Sequence, residues 1–407
     1  MIMKDKKIIV GVTGGIAVYK AAELVRLLIK AGAQVKVAMT AHAAQFVTPL
    51  TFETLSQNKV IVEMFASATS PLDHITWAQG SDLIILSPAT ANFIGKMAHG
   101  IGDDFLSTLV IATTAKMLIC PSMNTQMFLN PAVQANLELL KKRGYTVMAP
   151  AEGELACNTQ GPGRLPEPEE ILEQARVLLT EQDLTGLKVL VTAGPTQEAI
   201  DPVRYLSNRS SGKMGYALAR AARLRGAEVT LISGPTYLPP PLGVVFKNVN
   251  TTAEMRAEVL NCQAQCDWVF KAAAVLDYAP AETAEQKIKK DKELPPLKLT
   301  ATPDILNELG QTPGKKGRVL VGFAAETQDL LANARAKLIK KNLDLIVAND
   351  VSRPDAGFEV ETNQVKILYA DGRHEELPLM TKAELADQLL NRVKELWKKK
   401  SGNPGKK

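Results

Sequence analysis

The chain of 407 residues sets 48 Lys and Arg against 43 Asp and Glu, a net charge of +5, with 46% apolar, 5% aromatic and 22% charged residues. That length exceeds one ordinary core and points to about two to three domains, and the apolar content excludes a disordered chain. Much of the positive excess sits in Lys398, Lys399, Lys400, Lys406 and Lys407, a tail expected to be solvated. No basic patch interleaved with aromatics accompanies it, so the balance favours anionic small molecules over nucleic acid. Cys120, Cys157, Cys262 and Cys266 form no C-x-x-C pair, and a chain of this size needs no disulfide framework, so reduced thiols in the cytoplasm are expected. The apolar run at 8–12 stops at Thr13-Gly14-Gly15, too soon for a signal peptide or a membrane span.

In chain order, residues 8–12 form a β-branched run, as in a strand buried on both faces. Gly14 and Gly15 then open a helix with apolar Ala17, Ala21, Leu24, Val25 and Leu28 at helical spacing, closed by Gly32. Such a turn presents backbone donors to a phosphate, although it is not G-x-G-x-x-G and reads equally well as punctuation. The pattern repeats at 35–39 before Thr40, at 83–86 before Ser87-Pro88-Ala89-Thr90, at 117–120 before Pro121-Ser122-Met123-Asn124, and at 146–149. Strands ending in small hydroxyl, Pro or Ala residues line the carboxyl edge of a doubly wound sheet, where ligands bind. The repetition points to one planar, phosphate-bearing cofactor. In the Gly/Pro-rich loop at 155–164, Cys157 is either an exposed reactive thiol or a buried inert one.

A helix at 166–180, acidic in its first turn and apolar at Ile171, Leu172, Ala175, Leu178 and Leu179, closes the first domain. The strand and glycine-turn pattern restarts at 187–192 with Ala193-Gly194-Pro195-Thr196. Ser210-Ser211-Gly212-Lys213-Met214 lacks the first glycine and the final Ser/Thr of a Walker loop; it is an anion cradle or a capped helix start. A strand at 268–271 runs into Ala272-Ala273-Ala274-Val275-Leu276-Asp277. The aperiodic stretch 279–302, with Lys287-Ile288-Lys289-Lys290, reads as a solvated loop or a mobile cationic lid. A strand at 319–323 comes next, then a helix carrying Lys337 and Lys341, then a strand at 343–347 before Ala348-Asn349-Asp350.

Gly14-Gly15-Ile16-Ala17, Ser87-Pro88-Ala89-Thr90-Ala91, Pro121-Ser122-Met123-Asn124-Thr125-Gln126-Met127, and Ala156-Cys157 with Gly161-Pro162-Gly163-Arg164 together resemble the homo-oligomeric flavin-containing cysteine decarboxylases, over residues 5 to about 180. The resemblance is strongest to the decarboxylase half of bifunctional coenzyme A biosynthesis proteins. It implies FMN held by Gly14, Gly15, Ile16, Thr40, Ser87, Pro88, Ala89 and Thr90, with His74 in the active site, Asn124 on the substrate carboxylate and Cys157 as proton donor. The chemistry needs such groups. A cysteinyl carboxylate cannot leave as CO2 without an electron sink; oxidation of the thiol to a thioaldehyde supplies one, and the resulting enethiolate must receive a proton at carbon. The chain departs from the family at Asn158, where glycine commonly follows the cysteine; Asn also tolerates left-handed backbone.

Asp201-Pro202-Val203-Arg204, Ser207-Asn208 through Met214-Gly215, Ala272-Ala273, Asp277, Lys287 to Lys290, Pro303-Asp304-Ile305 and Ala348-Asn349-Asp350 resemble the CTP-using bacterial phosphopantothenate-cysteine ligases, over 187 to about 397. That resemblance implies that Asn208 steadies an acyl-cytidylate, Lys287 and Lys289 meet nucleotide phosphates, and Arg204 acts across a dimer interface. Around CTP it implies Ser210, Ser211, Gly212, Ala272, Ala273, Asp277, Pro303, Asp304, Ile305, Leu306, Phe323, Lys337 and Lys341. Transfer of a cytidylyl group turns a poor electrophile into a mixed anhydride, with Mg2+ and lysines offsetting the charge on pyrophosphate; the sequence does not identify the metal ligands.

The expected architecture is α/β with two doubly wound domains: a flavodoxin/Rossmann-like flavoprotein domain at 1–182, the FMN-dependent decarboxylase, and a Rossmann-like CTP-dependent ligase domain at 183–398, before a basic tail at 399–407. The expected substrates are 4'-phosphopantothenate, cysteine and CTP, with no nucleic acid and no membrane. The resemblance implies a homo-oligomer of trimeric decarboxylase units and dimeric ligase units, a dodecamer when both form. Two other readings stand beside it: an oxidoreductase, which the glycine turns alone permit, and a non-catalytic flavin-binding regulatory subunit, which the presence of Cys157, His74 and Asn124 disfavours.

Overall fold

Short runs of β-branched and aliphatic residues separated by amphipathic stretches build two α/β units, Met1–Glu181 and Gln182–Lys407. The computed structural model describes residues 3–65, 70, 72–154, 160–289, 296–314, 316–326, 328–350, 357 and 360–402.

The first unit runs β1 (Lys7–Val12), α1 (Val18–Lys30), β2 (Gln34–Met39), α2 (Pro49–Ser56), α3 (Asp73–Gly80), β3 (Leu83–Ala89), α4 (Ala91–His99), α5 (Phe105–Ala112), β4 (Lys116–Pro121), α6 (Thr125–Leu129), α7 (Pro131–Lys142) and β5 (Thr146–Val147). The strands pair in parallel in the order β2-β1-β3-β4-β5. Successive side chains of β1 serve opposite layers, as strand periodicity requires. Ile8, Val10 and Val12 pack with Val18, Leu24 and Leu28 of α1, while Ile9 joins Phe93, Ile94 and Phe105 on the other face. A hairpin, β6 (Ala151–Glu154) with β7 (Gln160–Arg164), leads into α8 (Pro168–Leu179), and Lys20 of α1 donates to Glu167 just ahead of α8 at 2.7 Å.

Two strands differ from expectation. β3 does not stop at Leu86; it continues through a register irregularity to Ala89, with every residue buried. The last strand pairs over Thr146–Val147 only.

The second unit runs β8 (Lys188–Ala193), β9 (Gln197–Ala199), β10 (Tyr205–Ser207), α9 (Lys213–Leu224), β11 (Glu228–Ser233), β12 (Val245–Asn248), α10 (Thr252–Gln263), β13 (Trp268–Lys271), β14 (Tyr278–Pro280), β15 (Leu299–Ala301), α11 (Ile305–Gln311), β16 (Val319–Glu326), α12 (Leu330–Lys340), β17 (Leu345–Asp350), β18 (Thr362–Asn363), β19 (Val365–Tyr369), β20 (His374–Glu376), β21 (Met380–Thr381) and α13 (Lys382–Ser401). Its main sheet has the order β12-β11-β8-β13-β16-β17-β19-β20. It is parallel from β12 to β17 and antiparallel beyond. The antiparallel edge, the small hairpins β9–β10 and β14–β15, and the β18–β21 pair were not foreseen from the sequence.

Gly215 lets α9 settle on the end of β8, since a Cβ there would stand 2.5 Å from the Cβ of Ala193 and 2.9 Å from the carbonyl oxygen of Thr192. Leu218, Ala219 and Ala222 of α9 then share one core with Leu385, Ala386, Leu389 and Leu390 of α13. The carboxylate of Asp183 clasps this layer, accepting from Arg225 at 2.8 and 2.6 Å and from Lys394 at 2.6 Å. The expected basic tail begins inside α13. Leu396 and Trp397 still pack on the core, so the helix continues through Lys398, Lys399 and Lys400 to Ser401. Lys400 donates to Asp344 at 2.6 Å. No helix among the described residues is long and apolar enough to cross a membrane.

Candidate functional sites

In a doubly wound sheet the crevice opens where strand order reverses, beyond the carboxyl ends of the strands. The first unit has that point between β1 and β3, and a cavity of about 910 Å³ lies there, lined in part by Thr13, Gly14, Thr40, Thr90, Lys96, Phe65 and Met127. Hydroxyls hold its rim. The Thr13 hydroxyl donates to the carbonyl of Pro88 at 2.8 Å and accepts from the Thr90 backbone N–H at 3.0 Å, tying β1 to β3. The Thr40 hydroxyl accepts from Ala43 N–H at 3.3 Å. Lys96 donates to Asp103 at 2.7 Å and to Asp104 at 3.4 Å; the bond to Asp103 outweighs desolvation and raises the lysine above its ordinary range.

Two observations fit this edge to a planar cofactor with a phosphate. A Cβ at Gly15 would meet only Thr90 Cγ2, 3.5 Å away, so the turn leaves room that the protein does not fill. Thr90 stands at the N-cap of α4 with no side-chain cap bond, leaving backbone donors for an anion.

Several expected residues stand elsewhere. Gly14, Thr40 and Thr90 line the cavity, whereas Gly15, Ile16, Ser87, Pro88 and Ala89 are not among its lining residues. Ile16 is 63% exposed. Ser87 and Ala89 are buried because β3 extends through them, and among the described residues the Ser87 hydroxyl has no partner. His74 is half-buried in the first turn of α3. Asn124 caps α6, accepting from Gln126 N–H at 2.8 Å. Neither lines the cavity. Cys157 and Asn158 lie outside the described residues. The hairpin that carries them in sequence is fitted tightly to the Asn124 loop. Gly163 (φ 144°) accepts from Met123 N–H at 3.0 Å, and a Cβ there would come within 2.2 Å of the Met123 carbonyl oxygen.

The second unit reverses its order between β8 and β13, and a cavity of about 690 Å³ lies at that edge. Asn208, Ser210, Ser211, Gly212, Ala272, Ala273, Asp277, Pro303, Asp304, Ile305, Leu306, Phe323, Lys337 and Lys341 all line it. Asn208 is locked: its amide donates to the carbonyls of Ala274 at 3.0 Å and Val275 at 3.2 Å. Thr192 and Thr196 hydroxyls accept from Ala273 and Leu276 N–H at 3.2 and 3.1 Å, which fixes the loop after β13. Lys337 pairs with Glu326 at 2.6 Å and Lys341 with Asp304 at 3.0 Å.

Arg204, Lys287 and Lys289 are not among the lining residues. Arg204 pairs with Asp201 at 3.2 Å and donates to the Ile288 carbonyl at 2.5 Å, while Ile288 N–H donates to Asp201 at 3.2 Å. The Asp201–Arg204 turn thus pins the lysine loop by its backbone, and Lys287 and Lys289 point into solvent. Lys290 lies outside the described residues.

Sequence reasoning missed two buried lysines of this cavity, Lys271 and Lys382. Lys382 opens α13 after the Thr381 cap, a position that reads as solvated. Its ammonium instead donates to the carbonyls of Gly357, at 3.0 Å, and Val360. Burial pushes it down to about 8, with Lys213 adding and Glu361 opposing. Asn363 is also missed; it is 5% exposed and its Oδ1 has no partner among the described residues. Only a lysine closing an otherwise apolar strand, at Lys271, was a visible signal.

Residues 2–179 match the Flavoprotein family and residues 184–396 the DNA/pantothenate metabolism flavoprotein C-terminal domain. Fold and matches define a two-domain flavoprotein of the pantothenate-metabolism class. The chain is 48% identical over 401 residues to the Coenzyme A biosynthesis bifunctional protein CoaBC of Bacillus subtilis (strain 168), covering 97% of this chain and 98% of that one. It is 44% identical over 399 residues to the protein of that name in Escherichia coli (strain K12), covering 97% and 98%. A crystal structure of the C-terminal domain of a Coenzyme A biosynthesis bifunctional protein CoaBC is 41% identical, with a TM-score of 0.47, over 54% of this chain and 100% of that one. This chain belongs to the family of bifunctional coenzyme A biosynthesis proteins.

Proposed function

We infer that the two cavities divide the two activities of this family between them. The protein is a bifunctional enzyme: it ligates cysteine to 4'-phosphopantothenate with CTP, then decarboxylates the product with FMN to give 4'-phosphopantetheine. The observation that carries the division is the convergence in the second cavity of residues from five separated stretches, Asn208–Gly212, Ala272–Asp277, Pro303–Leu306, Phe323 and Lys337–Lys341.

In the ligase half the carboxylate of 4'-phosphopantothenate attacks the α-phosphorus of CTP and pyrophosphate leaves. The amine of cysteine then attacks the acyl carbon, CMP departs and the amine proton is lost to solvent. Asn208, held by two backbone carbonyls, steadies the acyl-cytidylate without reorganising. Ser210, Ser211 and Gly212, ahead of α9, cradle phosphates, while Lys337 and Lys341 face the leaving charge. Arg204 orients the loop of Lys287 and Lys289, whose side chains reach the phosphates when that loop closes. Among the described residues no group of three or more His, Cys, Asp or Glu is placed to hold a metal ion; Mg2+, when bound with the nucleotide, would offset the charge on the leaving pyrophosphate.

In the decarboxylase half, bound FMN supplies the electron sink that CO2 loss requires. Gly14, Thr40 and Thr90, with Gly15 and Ile16 of the same glycine turn, would hold it at the sheet edge. Asn124 holds the substrate carboxylate, His74 completes the site and Cys157 delivers a proton to carbon. Phe65 lines the first cavity yet is 83% exposed, and Met127 is also exposed. This supports a site completed by a neighbouring copy, as in a trimeric decarboxylase; dimeric ligase units joining such trimers into a dodecamer are the assembly that the family resemblance implies. CTP and reduced thiols set both steps in the cytoplasm.

Purified protein given 4'-phosphopantothenate, cysteine, Mg2+ and CTP should release CMP, pyrophosphate and CO2. Supplied with phosphopantothenoylcysteine alone, it should release CO2 without CTP. Failure of the second reaction in flavin-loaded protein overturns the division.

A further inference from the structure

β13 reads Trp268, Val269, Phe270 and then Lys271, a lysine where the strand calls for another apolar side chain. Lys271 is 5% exposed and lines the second cavity. Strand alternation places it on the side of Val269, whose core includes Met255, Ile305 and Leu306. Among the described residues its ammonium meets the thioether of Met255, at 3.5 Å, and no carboxylate stands within ion-pair distance.

The charged groups on the surrounding elements are engaged with one another. Asp304, ahead of α11, pairs with Lys341, after α12, at 3.0 Å. Lys337 of α12 pairs with Glu326 of β16 at 2.6 Å, and Arg256 of α10 with Glu308 of α11 at 2.7 Å. A buried ammonium without a counter-ion is costly. Burial, reinforced by Lys341 and opposed by Asp304, brings this one down to about 7. A methionine or leucine would fill the slot at less cost, so the fold alone does not account for a lysine there. The CTP site does. This inference rests on placing CTP in the second cavity, where the triphosphate brings the negative charge that the lysine lacks.

We propose that Lys271 is a nucleotide-binding cation held in reserve, largely neutral in the empty cavity at mildly alkaline pH and protonated when the phosphates of a nucleoside triphosphate arrive. One proton is taken from solvent on binding and returned when the phosphates leave. Lys271 would thereby add a positive charge to the site only while there is an anion to meet it.

Titration calorimetry of the full chain with CTP and Mg2+, without the other substrates, tests this in buffers of different ionisation enthalpy between about pH 6 and pH 8.5. The protons taken up by wild type minus those taken up by Lys271→Met should rise from near zero at about pH 6 toward about one at pH 8.5. Lys271→Met should bind CTP about tenfold more weakly at the acid end. Inorganic pyrophosphate should reproduce the uptake and cytidine should not. Lys271→Arg, permanently charged, should retain affinity and lose the pH-dependent uptake, so this arm decides the matter if the methionine variant does not fold. Wild-type affinity and proton count in Lys271→Met, unchanged uptake in Lys271→Arg, or uptake driven by cytidine alone overturns the proposal. Absence of CTP binding to wild type instead overturns the placement of CTP in this cavity.

Discussion

The two sheets reverse their strand order at equivalent points, yet the cavities beside them differ in how much of the expected machinery one chain gathers. In the second unit Asn208, Asp277, Phe323, Lys337 and Lys341, spread over more than a hundred residues of sequence, line one cavity. In the first, Gly14, Thr40 and Thr90 line the cavity while His74 and Asn124 do not, and Phe65 at its mouth is exposed. The physical lesson is that a loop-lined cavity can be assembled by crossovers within one α/β domain. The first cavity, by contrast, gathers only part of the expected set from one chain.

That contrast can be broken from either side. The largest effect is expected for Cys157→Ser, which should cut formation of 4'-phosphopantetheine about 10²- to 10⁴-fold, because CO2 leaves before the proton arrives, and leave CTP-dependent amide formation unchanged; equal loss of both activities, measured separately, defeats the division. Asn208→Asp sets a carboxylate against the carbonyls of Ala274 and Val275 and should lower amide formation about a hundredfold, with decarboxylation of supplied phosphopantothenoylcysteine retained. Unchanged amide formation removes Asn208 from the ligase site.

A structural effect comes next. Burial raises the Asp183 carboxyl, but the bonds from Arg225 and Lys394 more than reverse this, so it titrates below the ordinary carboxylate range. A depressed folded-state value contributes stability above the unfolded value of about 3.9 and loses it as pH falls through the folded value. Asp183→Asn should therefore destabilise the second unit by about 3 kcal/mol at neutral pH, with the deficit against wild type shrinking below about pH 4 in denaturant titrations. A constant deficit down to about pH 2 speaks against the charged clasp. The smallest change is expected for Lys287→Gln: a rise in KM for CTP of about fivefold or less, with CO2 release from phosphopantothenoylcysteine untouched.

Much of this was legible in the sequence because parallel strands buried on both faces advertise themselves. β1, β8 and β13 are continuous apolar runs, and small-residue turns, glycine-bearing after β1 and β8, punctuate their ends. Where a strand ends was less legible. β3 carries Ser87 and Pro88 inside the sheet, so residues that read as a ligand loop are buried, and only the register with β4 reveals it. Lys287 was recognisable as part of a charge run, but its exposure depends on Asp201 and Arg204 gripping the backbone of Ile288, a contact spanning more than eighty residues. Lys271 and Lys382 escaped for the same reason: a lysine's burial is decided by groups distant in sequence, here Met255 and the carbonyls of Gly357 and Val360.

The ends of the large sheet carry a further consequence. One border is β12, four residues long with Lys247 in it, and the other is β20, three residues with His374 and Glu376 exposed. Short, charged borders discourage a strand from another molecule from extending the hydrogen-bonded ladder. The second unit therefore carries built-in resistance to the runaway edge-to-edge stacking that threatens a broad open sheet in a crowded cell.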